Sequence, residues 1–215
     1  MKACLVRHGE TAWTLTGQHT GLTDLALTPH GEHQSRGLGP RLQSMGITRV
    51  LVSPRLRAQQ TCHLADLGMV SEVEPDLAEW NYGDFEGRRS VDIRCDKPGW
   101  DIWRDGCPGG ESTADVAGRA DRLLARLATM KGLVALFSHG QFGAALAVRW
   151  IGLELIEGQH FPLHPASVSL LGTDHRHADR RVIELWNESP RAPPSGTKPL
   201  PRLSRLSSLK PKESP

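Results

Sequence analysis

Five side chains with the chemistry to handle a phosphoryl group are spread along the chain. His8 ends an apolar run, Ala3-Cys4-Leu5-Val6, and sits between Arg7 and Gly9. His139 ends a second run, Leu133 to Phe137, and is followed by Gly140. Arg57 comes shortly after a third, Arg49-Val50-Leu51-Val52. Glu79 lies in an irregular stretch beside Trp80 and Tyr82. Phosphoryl transfer to a side chain needs an unprotonated nucleophile, fixed cations around the phosphate oxygens and an acid for the leaving oxygen. His8 can be the nucleophile, because adjacent guanidinium groups favour the neutral imidazole. Arg7 and Arg57 can offer permanently charged planar forks. Helix starts after Ser53-Pro54 and after His139 would aim backbone N–H groups at an anion. Glu79, in a partly dry pocket, would hold a proton more readily and could be the acid.

Each piece alone says little. An Arg-His-Gly triplet arises by chance, and a lone histidine at a strand end is more often structural. Arg57 alone reads as a solvated helix residue, and Glu79 alone as a surface acid. The order of the five along the chain, and their positions at strand ends, carry the reading.

The positioning elements follow from pattern. Residues 2–6 and 49–52, and the run 133–137, read as strands; 133–137 is apolar throughout, as expected of a strand covered on both faces. Residues 7–28, with Gly9, Gly17 and Gly21, read as a loop wrapping a site. Thr28-Pro29 is a helix start, with the helix running to Met45 and Gly46 stopping it. A helix after Ser53-Pro54 extends to Leu67, and 70–74 alternates as a third strand. Ser112, with Asp115 three residues on, caps a helix whose apolar stripe is Val116, Ala120, Leu123, Leu124 and Leu127. A buried helix follows over 141–151, and strands over 168–171 and 181–186. Residues 75–111 are the least regular, yet hold Trp80, Tyr82, Trp100 and Trp103, so they read as a lid or substrate-facing insertion. Strands alternating with helices predict an α/β fold, a three-layer α/β/α sandwich with a largely parallel central sheet. Ligands bind such sheets beyond the carboxyl ends of the strands, where His8 and His139 fall.

Composition narrows the classes. A chain of 215 residues, 38% hydrophobic, suffices for one core. The net charge of +2 is uneven: residues 188–215 hold six Lys/Arg and two acids, leaving 1–187 at −2. The predicted division is a domain over 1–187 and a disordered Pro/Ser/basic tail over 188–215. Nothing argues for nucleic-acid binding. No apolar run is long enough for a membrane span. Cys4, Cys62, Cys95 and Cys107 form no CxxC pair, as expected of reduced thiols in a cytoplasmic protein. Asp174, His175 and His177 read as a solvated hairpin loop rather than a metal site.

Leu5-Val6-Arg7-His8-Gly9-Glu10-Thr11 resembles the signature of the histidine phosphatase superfamily, the phosphoglycerate mutase-like proteins. Ser53-Pro54 with Arg57, Ala58, Gln60 and Thr61 resembles its second motif, Glu79 with Gly83, Glu86 and Gly87 its third, and Ser138-His139-Gly140 its fourth. The resemblance implies that His8 is phosphorylated, that Arg7, Arg57 and His139 hold the phosphoryl group, and that Glu79 donates the proton. Residues 13–24 and 79–87 look like the branch typified by fungal sedoheptulose-1,7-bisphosphatase. That branch implies substrate contacts from His19, Thr20 and Tyr82, with Thr14 and Gly140 beside them. Mutases usually carry Asn where Thr14 stands, and the branch usually has Tyr at His19. The implied activity is hydrolysis of small phosphorylated metabolites, sugar phosphates or bisphosphates, with no cofactor and no metal. Oligomeric state stays open, including a homo-oligomer. Two alternatives remain: a cofactor-dependent phosphoglycerate mutase, which would carry a longer insertion than the roughly thirty residues between Glu79 and Ser112, and a non-catalytic phospho-ligand binding module.

Overall fold

The computed structural model describes residues 2–177 and 179–189. Six strands form one sheet: β1 (Lys2–Arg7), β2 (Ile47–Val52), β3 (Ser71–Val73), β4 (Leu133–Ser138), β5 (Val168–Thr173) and β6 (Arg181–Glu188). Their spatial order is β3-β2-β4-β1-β5-β6. The first four are parallel to one another; β5 is antiparallel to β1, and β6 to β5. The sheet is therefore mixed, with its parallel part where β1 and β4 end side by side.

Alternation divides the core into two. In β1, Ala3 and Leu5 face one side, while Cys4 and Val6 face the other. Helices α2 (Pro29–Gln43) and α3 (Leu56–Leu64) cover the Cys4 face. Helices α6 (Thr113–Ala128) and α7 (Gly140–Trp150) cover the Leu5 face. The result is the expected three-layer α/β fold.

The expected caps hold the long helices. Thr28 Oγ accepts from Gly31 N at 3.0 Å, with Pro29 at the first helical position. Ser112 and Asp115 close a reciprocal box at the start of α6. The far ends differ slightly from expectation. Helix α2 stops at Gln43, and α3 at Leu64, just ahead of Asp66, which takes a left-handed φ of 61°. Strand β6 runs on to Glu188, beyond the expected end at Trp186 and into the first residue assigned to the tail. Residues from 190 onward lie outside the described residues.

Two stretches are more regular than pattern suggested. Within 7–28 lies a short helix, α1 (Ala12–Thr16), capped by Thr11. Residues 75–111 contain tight 3-10 turns at Pro75–Leu77 and Gly83–Phe85, plus α4 (Ser90–Asp96) and α5 (Ile102–Asp105). Their rings point inward rather than forming a free lid. Trp80, Tyr82, Trp100 and Trp103 are all buried in the larger core, with Trp80 and Trp103 edge to face at 5.6 Å. Burying so much ring area outweighs the lack of helical periodicity.

Candidate active site

The cleft opens beyond the ends of β1 and β4. Its volume is about 410 Å³, and Arg7, His8, Glu79 and Gly140 lie on its floor. The backbone of His8 is pinned on both sides. Its N–H donates to Ser138 O at 3.0 Å, and its carbonyl accepts from Ala166 N at 2.9 Å.

The imidazole of His8 is held in one tautomer. Nδ1 lies 2.7 Å from Gly9 O, and a carbonyl can only accept, so the ring proton sits on Nδ1. Nε2 then carries the lone pair. Burial drives the His8 pKa well below its ordinary value, and the Arg57 and Arg7 charges push the same way, against the Gly9 bond. A neutral ring with an available lone pair is a nucleophile.

His139 stands beside it, with ring centroids 5.2 Å apart. Its Nε2 is 2.7 Å from Ser53 Oγ, which accepts from Arg55 N at 3.3 Å. A hydroxyl has one proton to give and two lone pairs, so Ser53 Oγ holds His139 Nε2 in either tautomer of the ring. Burial, with Arg57 next, holds the His139 pKa well below its ordinary value. His139 Nδ1 is buried without a partner, and so are Arg7 Nε and Arg57 Nε. Ser167 Oγ, on the turn that takes Arg7 N, and Arg55 Nε share that condition.

The two arginines are not free forks. Arg7 Nη1 donates to Leu163 O, and the Arg7 guanidinium packs on Gly140, where an added Cβ would come 3.2 Å from Cζ. Arg57 donates through Nη2 to Thr20 O at 2.7 Å and through Nη1 to Thr23 O at 3.1 Å. Arg57 is thereby fixed to the loop around Thr20 and Thr23. Burial lowers the pKa of both guanidinium groups, while Glu79 raises them. Arginine stays charged throughout.

Glu79 is bracketed by α7 rather than by rings alone. Oε1 accepts from Phe142 N at 2.8 Å and from Trp80 N at 2.9 Å; Oε2 accepts from Gln141 N at 3.1 Å. The anion that the first turn of α7 was expected to bind is thus the chain's own carboxylate. Oε1 is filled by two donors. Oε2 keeps a lone pair that can hold a proton.

Sequence reasoning missed what holds Glu79 in place. Arg119, buried on α6, donates to Ala78 O at 2.7 Å and Asp76 O at 2.9 Å, and forms a two-pronged pair with Glu111 at 2.9 Å on each prong. Glu111 Oε2 in turn accepts from Asn81 N at 2.8 Å. The chain is clamped just before and just after Glu79. The available signal was a charge at position 119, inside the apolar stripe that runs from Val116 to Leu123. Glu86 plays a similar part for the loop that holds Arg57, accepting from Gly21 N at 2.9 Å and Thr23 N at 3.0 Å.

The expected substrate-side residues all reach the cleft, in different states. The Thr14 hydroxyl is spent on the α1 cap, donating to Thr11 O at 2.9 Å. Thr20 Oγ donates to Gln18 O at 3.2 Å. His19 lies against Tyr82, centroids 4.5 Å apart, with Nε2 3.1 Å from Ser90 Oγ. Burial pulls the His19 pKa down to about 4, Glu86 opposing. Burial, reinforced by Glu79, pushes the Tyr82 phenol well up, so it remains a hydroxyl. Among the described residues no group of three or more His, Cys, Asp or Glu is placed to hold a metal ion. No helix there is long and apolar enough to cross a membrane.

A mixed α/β sheet thus brings two histidines, His8 and His139, and two arginines, Arg7 and Arg57, to the side where β1 and β4 end. Residues 3–189 match the family model of the histidine phosphatase superfamily (branch 1), and the chain belongs to that superfamily. It is 43% identical over 185 residues to an acid phosphatase of Mycobacterium tuberculosis (strain ATCC 25618 / H37Rv), covering 84% of this chain and 91% of that protein. It is 37% identical over 185 residues to the sedoheptulose 1,7-bisphosphatase of Saccharomyces cerevisiae (strain ATCC 204508 / S288c), covering 71% and 68%. The solved structure of an open reading frame product from Mycobacterium tuberculosis superposes with a TM-score of 0.83 at 39% identity, covering 88% of this chain and 98% of that one. The chain is a phosphoric monoester hydrolase acting on phosphorylated metabolites.

Proposed function

We propose that this hydrolase works through a phosphohistidine on His8, with small sugar phosphates or bisphosphates as its substrate class. The observation that carries the reading is the pair of buried guanidinium donors without partners, Arg7 Nε and Arg57 Nε, together with the unpartnered His139 Nδ1, on the residues flanking a neutral His8. Buried donors are normally satisfied, so an anion with several acceptor oxygens is the natural complement.

In the first step His8 Nε2 attacks phosphorus, the P–O bond to the leaving group breaks, and the leaving oxygen takes a proton from Glu79 Oε2. In the second, Glu79 accepts a proton from water as that water attacks phosphorus. The N–P bond breaks, releasing inorganic phosphate and restoring His8. Arg7, Arg57 and His139 hold the phosphoryl oxygens through both steps. The short 75–111 segment leaves water access, which favours hydrolysis over return of the phosphoryl group to a second acceptor.

The experiment is rapid acid-free quenching with a ³²P-labelled sugar phosphate. The wild type should accumulate an acid-labile phosphoenzyme, and His8→Ala should show neither it nor turnover. A phosphoenzyme of equal yield in His8→Ala would rule out His8 as the nucleophile.

A further inference from the structure

The two sides of the cleft differ in charge. Arg7, His8 and Glu79 occupy the floor; every other described side chain lining the cleft is uncharged at neutral pH. Amide and hydroxyl groups come from Gln18, Ser90, Gln141 and Gln159. Ring surface comes from Trp13 and Tyr82. His19, on that same wall, is buried against Tyr82 and Trp100 and bonded to Ser90.

The four arginines of the 75–111 stretch are engaged elsewhere. Arg89 makes a two-pronged pair with Asp92, both prongs 2.7 Å. Arg88 is paired with Asp96, and Arg104 with Asp105 at 2.7 Å. Arg94 donates to Trp100 O at 3.0 Å. None of the four lines the cleft.

Phosphate and carboxylate are recognised by guanidinium and ammonium groups. An anion placed among neutral amides loses hydration without gaining a counter-charge. Sugar and polyol hydroxyls find donors and acceptors there, and their C–H faces find rings. We propose that the leaving-group side of this cleft is a subsite for an uncharged, hydroxylated group, so the preferred substrates are sugar or polyol esters bearing a single phosphate. This rests on the phosphatase reading above and narrows it against bisphosphates and phosphoglycerates.

The test uses the full chain and matched pairs: fructose 6-phosphate against fructose 1,6-bisphosphate, and glycerol 3-phosphate against 3-phosphoglycerate. Para-nitrophenyl phosphate serves as a common reference. In each pair kcat/KM for the member with the uncharged leaving group should be higher by about tenfold or more, the scale of one uncompensated charge. A smaller difference, or the opposite order, overturns the subsite while leaving the phosphatase reading intact. Absence of phosphate release from every compound, the reference included, overturns both.

Discussion

Three histidines in and around the cleft are pressed towards neutrality, mainly by burial. Above pH 6.5 they are neutral in the folded and unfolded chain alike. As pH falls, the unfolded chain takes up protons first, so stability is lost as pH drops below the unfolded pKa and levels off below the folded one. For His19, with a folded pKa of about 4, the window is pH 6.5 to 4. The contribution there is roughly 3 kcal/mol. Urea denaturation at pH 7, 5.5 and 4 should show His19→Gln losing less stability than wild type over that range; identical pH slopes would remove His19 as a source. At this scale much was legible. His8, His139, Arg7, Arg57 and Glu79 could be named as candidates because residue type and, for Arg7 and the two histidines, strand-end position are local properties. What each one bonds to was not, because Arg57 reaches carbonyls at Thr20 and Thr23, and Glu79 reaches amides at Gln141 and Phe142, across long stretches of chain.

Among the elements, α6 does more than cover the sheet. Through Arg119 and Glu111 it grips the chain on both sides of Glu79. Arg119→Met leaves Glu111 without its counter-ion and three backbone carbonyls without a donor. It should destabilise the protein by about 2–3 kcal/mol in urea denaturation. It should also copy, more weakly, the pattern expected of Glu79→Gln: alkyl phosphates slowed strongly, activated aryl phosphates much less, because only poor leaving groups need the proton. Equal slowing of both ester types in Arg119→Met would confine Arg119 to a purely structural part. Elements with caps or an unbroken apolar run, α2, α6 and β4, were readable in advance. Helices α4 and α5 were not, since seven and four residues are too few to show a helical period.

At the scale of the molecule, alternation of strands and helices was enough to give a three-layer sandwich. The position of β4 between β1 and β2, and the antiparallel β5 and β6, came only from the structure, because strand order is decided by long-range packing. Strand β6 closes at Glu188, paired with Arg41 at 3.2 Å, and the family match ends at residue 189. We propose that the catalytic unit ends there. A chain truncated after residue 189 should keep kcat/KM for para-nitrophenyl phosphate within about twofold, well under 1 kcal/mol, and an unchanged Tm. A larger loss would show that residues 190–215 contribute to the site.

The hook that joins Glu79 to the first turn of α7 has a further consequence. It makes the acid a fixture of the floor, although Glu79 belongs to the irregular 75–111 stretch. Tyr82, Ser90 and Trp103, which line the cleft, come from that same stretch, downstream of the hook. A lineage, or a protein engineer, can therefore change the cleft-lining positions of this stretch that lie outside the core, such as Ser90, and leave the acid in place, whereas Tyr82 and Trp103 are also core residues. The condition is that the hook and its Arg119–Glu111 brace survive the change.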